Sequence, residues 1–155
     1  MARPSPTLIR ALYATADRLS SGAPYQWGHP GACNCGHLAQ TVTKRSRSEL
    51  LAVAREKSGD WGQMAVEACP ASGLPIDAVI EELLALGLDR SDIANLEDLA
   101  DRRVLSTMPR ETRERLRRNR REDVVLYLRA WAGLLEIEAE APRAAPAYWH
   151  EFVRA

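Results

Sequence analysis

Two of the three cysteines, Cys33 and Cys35, and two of the three histidines, His29 and His37, fall within residues 23–41. Thiolate and imidazole are the soft and borderline donors that zinc or iron accepts. The third cysteine, Cys69, lies downstream before a proline and can supply another thiolate. Helix geometry prunes this set. With a helix starting at Asn34, Cys35 and His37 project about 200° apart and do not grip one ion together. His29, Cys33 and Cys35 lie on the loop and the first helical turn, where they can converge. The expected ligands are therefore His29, Cys33 and Cys35, with Cys69 fourth and His37 as a substitute. A Cys3His set is a closed, structural type of zinc site, and zinc is expected ahead of iron.

The same loop also suits a thiol nucleophile. Cys35 falls in the first turn of its helix, where free backbone N–H groups and the helix dipole stabilise a thiolate. His29 or His37 would then be the base. The plain reading stands beside both. Free cysteine packs as a small buried hydrophobe, and a histidine often serves only as a hydrogen-bonded core residue.

The run Pro24-Tyr25-x-Trp27-Gly28, followed by Cys35-x-x-Leu38-x-Gln40, resembles the opening motif of the NlpC-type cell-wall peptidases, a papain-like family. The resemblance spans about residues 7–45. In that family a helix leads into Pro-Tyr-x-Trp-Gly-Gly, and an Asp-Cys-Ser-Gly-Leu segment starts the helix that bears the nucleophile. The resemblance implies Cys35 as nucleophile with Tyr25 beside it, in a hydrolase or acyltransferase. His29 stands in place of the second Gly, Asn34 in place of Asp, and Gly36-His37 in place of Ser-Gly. The family's catalytic histidine follows on a β-strand, whereas no histidine lies between His37 and His150 here.

The elements that must position this loop read as helices. The composition is rich in Ala, Leu, Arg and Glu, with one Phe, which favours helix over sheet. Ser5-Pro6 starts the first helix as N-cap and first helical residue, and Leu8, Ile9, Leu12, Ala16 and Leu19 make its apolar stripe. Gly22 ends it. Asn34 is the expected N-cap of the second helix. Ser46-Arg47-Ser48-Glu49 has the form of a capping box opening a third, to about Lys57. A short helix is expected from Asp60 to Val66. The stretch 74–87 is amphipathic through Ile76, Val79, Ile80, Leu83 and Leu84, with Gly87 as its stop. Helices are also expected near 92–100 and from Pro109 through Leu116. The longest apolar helix, near 122–138, carries Val124, Leu128, Trp131 and Leu135, broadened by Val125, Leu134 and Ile137. Residues 141–155 read as an extended tail docking its aromatics on the body.

The 155 residues suit one all-α, compact multi-helix domain with the Cys/His-rich loop between the first two helices. Formal net charge is zero, so no whole-molecule attraction to nucleic acid or anionic membrane arises. No apolar run reaches the ~20 residues that span a bilayer, and no apolar leader is visible. A cytoplasmic location is expected, its reducing conditions keeping cysteines as thiols or metal thiolates. The arginine-rich stretch 110–121 offers Arg113, Arg117, Arg118, Arg120 and Arg121 to the phosphates of nucleic acid or a nucleotide ligand, which would make the chain a partner-binding module. The favoured reading is a solvated face that pairs with acidic residues from Asp77 to Asp101, within the chain or in a homodimer.

Overall fold

The computed structural model of the chain describes residues 2–29, 31–50, 52 and 77–141, and the regular structure among them is entirely helical. The helices are α1 (Pro6–Ser20), α2 (Asn34–Thr43), α3 (Asp77–Ala85), α4 (Arg90–Asp98), α5 (Arg102–Ser106), α6 (Arg110–Arg115) and α7 (Arg121–Glu140). Helix also begins at Arg47. None of the helices searched is long and apolar enough to cross a membrane. The helices expected within 53–76, the tail beyond Ala141 and Cys69 lie outside the described residues.

α1 starts as its sequence dictates. Ser5 accepts a hydrogen bond from the Leu8 amide and Pro6 occupies the first turn, a position where its missing N–H costs nothing. Its stripe of Leu8, Leu12, Ala16 and Leu19 is wholly buried. α1 packs most extensively against α7, a 20-residue helix burying Val124, Tyr127, Leu128, Trp131 and Leu135. One hydrophobic cluster joins this pair to α2, α3, α4 and α5. Leu12→Ala, within that cluster, is expected to cost about 2–5 kcal/mol by opening a cavity, readable as a lower urea midpoint. α7 is narrower than its apolar count suggests: Ile137 is 67% exposed. It falls on the solvent side of a helix whose other face fills the core.

Several sequence expectations shift by local chemistry. α4 begins at Arg90, because Asp89 and Asp92 form a reciprocal capping box. α5 was not anticipated; its five residues are capped by Asp101, whose carboxylate accepts from the Arg103 amide. α6 starts after Pro109 as expected and buries no residue. Ser46 and Glu49 do form the expected box: the Ser46 amide donates to Glu49 Oε2 (2.6 Å) and the Glu49 amide to Ser46 Oγ (3.3 Å). In the arginine run, Arg118 pairs with Asp98 of α4. Arg110, Arg120 and Arg121 pair locally with Glu114, Asp123 and Glu122.

Candidate metal centre

The loop between α1 and α2 is a series of tight turns that ends by launching α2. The His29 carbonyl accepts from the amides of both Ala32 and Cys33, each at 3.0 Å. Gly31 sits at φ +73°, the left-handed region that suits glycine. Gln40, one helical face along α2, donates to the Gly31 carbonyl. These bonds press the loop onto the first turn of α2 so closely that a Cβ on Gly36 would lie 2.6 Å from the Gly31 backbone. Gly36→Ala must therefore push loop and helix apart. It is expected to cost about 1–3 kcal/mol and to disturb the neighbouring cysteines, seen as a lower melting temperature.

α2 is capped from outside its own segment. The N-cap is Cys33, with extended backbone and no side-chain cap bond, and Asn34 is already helical. The expected cap thus moves back one residue, because the Asn34 side chain has a stronger engagement elsewhere. It is fully buried, and its amide donates to the carbonyls of Leu96 (3.1 Å) and Glu97 (3.0 Å) in the last turn of α4. Those carbonyls have no i+4 donor within their helix. The Tyr25 hydroxyl stands 2.8 Å from Asn34 Oδ1 and also reaches the Arg118 carbonyl. Burial, then the charge of Glu97, pushes the Tyr25 pKa far up, so the hydroxyl keeps its proton. The Arg118 guanidinium lies 4.3 Å over the Trp27 ring.

Glu97 completes the joint. Its Oε1 accepts from the Cys35 amide at 2.6 Å, a carboxylate satisfying an orphan donor at a helix N-terminus. Its second oxygen is buried and has no hydrogen-bond partner among the described residues. The sulfurs of Cys33 and Cys35, both buried, are 3.7 Å apart. Ligand atoms of Cys33, Cys35 and Glu97 all lie within 4.8 Å of one another. The Cys35 pKa is raised, first by its hydrogen bond with Cys33, then by burial and by Glu97. Without an ion, Cys35 is a neutral thiol, although it stands in the first turn of a helix. No protein family, curated protein or solved structure matches the chain. The function is therefore argued from this geometry.

The structure brings together two of the expected ligands and adds one that the sequence reading passed over. In the sequence Glu97 is one of several acidic residues; it lies 62 positions from Cys35, and no local spacing marks it. Neither His29 nor His37 belongs to the ligand-atom group among the described residues. His29 is exposed, with Nδ1 3.5 Å from Arg47 Nη2; its backbone, not its ring, shapes the site. His37 points away from Cys35, as the helical angle requires. Its Nε2 donates to the Pro24 carbonyl (3.0 Å) and its Nδ1 accepts from Arg18 (3.2 Å). Both ring nitrogens are committed, which takes His37 out of the substitute-ligand and base roles expected of it. Burial, reinforced by the Arg18 charge, lowers its pKa to about 4. An unfolded histidine titrates near 6.5. As pH falls through that window the unfolded chain binds the proton first, so stability present above about 6.5 is expected to decline toward pH 4. His37→Gln should flatten that part of a stability–pH curve measured by denaturant titration.

Proposed function

We propose that the chain is a zinc-binding protein in which Cys33, Cys35 and Glu97 hold the ion and thereby tie α2 to α4. The spacing of the two sulfurs carries this reading. Zinc–sulfur bonds of about 2.3 Å at a tetrahedral angle put two thiolates about 3.8 Å apart, and the sulfurs are 3.7 Å apart. The second oxygen of Glu97, without a partner among the described residues, supports it independently, since a buried carboxylate oxygen without a donor is costly. The ion would replace two thiol protons and supply the positive charge this cluster lacks. Two thiolates and one carboxylate favour zinc over the hard cations, with iron as the next choice. The fourth position falls to His29, Cys69 or a water molecule.

Elemental analysis of reduced protein dialysed against zinc should find one equivalent. Cobalt substitution should give sulfur-to-metal charge-transfer absorption that weakens in Cys33→Ser and again in Cys35→Ser. His29→Ala and Cys69→Ser, examined the same way, identify the fourth ligand. A protein that takes up no zinc, or whose cobalt spectrum ignores both cysteine replacements, would leave the sulfur pair as a thiol–thiol hydrogen bond inside the core.

A further inference from the structure

We infer that Cys33 and Cys35 are also a peroxide-sensitive dithiol, whose oxidation to an intrachain disulfide expels the ion. The inference rests on the zinc reading and concerns how that same site is regulated. Three observations carry it. The sulfurs are already in contact at 3.7 Å, less than 2 Å beyond the ~2.05 Å of a disulfide. One residue separates the cysteines, and they straddle the start of α2, Cys33 in extended backbone outside the helix and Cys35 inside it. Local adjustment there leaves the body of the helix intact. The third observation is what oxidation would spare. Asn34 still bonds the Leu96 and Glu97 carbonyls, and Glu97 still accepts from the Cys35 amide. The joint between α2 and α4 therefore has a sulfur-independent half that keeps the oxidised chain folded, while two of three proposed ligands are lost.

The chemistry balances with hydrogen peroxide as the oxidant. Bound to the ion, both sulfurs are thiolates, the nucleophilic form. One thiolate attacks a peroxide oxygen; the O–O bond breaks, the sulfur becomes a sulfenic acid and the departing hydroxide takes a proton to leave as water. The second thiolate attacks the sulfenic sulfur, forming the S–S bond and expelling a second hydroxide, which is likewise protonated. Two thiolates, one peroxide and two protons give one disulfide and two waters. The zinc ion keeps its oxidation state and leaves because its sulfur donors are gone.

Zinc-loaded, full-length protein treated with equimolar hydrogen peroxide tests this, with a chromogenic chelator reading released zinc. Trypsin cuts after Arg18 and Lys44, so peptide 19–44 carries Cys33 and Cys35 without Cys69. The expected result is release of one equivalent of zinc and loss of two hydrogens from peptide 19–44. Helical circular dichroism is retained, and dithiothreitol with fresh zinc restores the start. Zinc that stays bound through the treatment overturns the inference and leaves the zinc reading standing. So does zinc released with peptide 19–44 joined to Cys69 or carrying sulfinic acid. A reduced chain that binds no zinc at all overturns both.

Discussion

Zinc supplied at a thousandfold over its dissociation constant is expected to stabilise the folded chain by about 4 kcal/mol. For a domain of this size that corresponds to a melting temperature about 8–16 °C higher. The effect is large because the proposed ligands belong to segments far apart in sequence, at Cys33, Cys35 and Glu97. Unfolding separates Glu97 from the sulfur pair, so the ion would bind the folded chain more tightly than the unfolded one. The pH dependence has a definite sign. The hydrogen bond with Cys33, then burial, keeps Cys35 protonated in the ion-free protein, and each thiol must lose its proton to become a ligand. Where both are thiols, affinity should fall by up to about a hundredfold for each unit the pH is lowered. Competition titration with a fluorescent zinc chelator between pH 6 and 8, beside thermal melts with and without zinc, reads both effects. A melting temperature indifferent to zinc at every pH would remove the clamp.

Asn34→Leu should be among the most damaging single replacements at the joint, costing about 3 kcal/mol or more. Leucine keeps the branching of the side chain but leaves the Leu96 and Glu97 carbonyls without a donor and removes the acceptor beside the Tyr25 hydroxyl. Asn34 is fully buried, so water does not replace what is lost, and each abandoned group costs about 1–3 kcal/mol. Asn34→Asp tests the same point at constant shape. A carboxylate accepts from Tyr25 but cannot donate to the two carbonyls, and it adds negative charge beside Glu97. Both variants should lower the urea midpoint with an unchanged slope, and both should weaken zinc uptake because they loosen the contact that sets Glu97 against Cys35. If Asn34→Leu unfolds at the wild-type midpoint, the joint does not depend on this side chain.

The helices were legible because their signals are local. Ser5-Pro6 opens α1, Ser46 and Glu49 cap the next helix, and Val124, Leu128, Trp131 and Leu135 repeat at the helical period and are all buried. The His37 angle was equally local: two residues along a helix turn the side chain away from Cys35 whatever surrounds them. The start of α2 was read one residue late for a reason of another kind. Asn34 has the chemistry of a cap, but a partner distant in sequence, the last turn of α4, offers it two carbonyls. A propensity yields to a better bond that only folding creates.

By itself, then, the sequence determined an all-helical chain and the location of its reactive sulfurs, since periodicity, caps and residue chemistry are carried by neighbours along the chain. Tertiary structure alone decided the third member of the cluster. Glu97 lies among several acidic side chains, and no spacing distinguishes it until α4 ends against the first turn of α2. Folding likewise decided that His37 would be consumed by Arg18 and Pro24. Which donors share a point in space depends on how helices cross, and that is set by packing over the whole core.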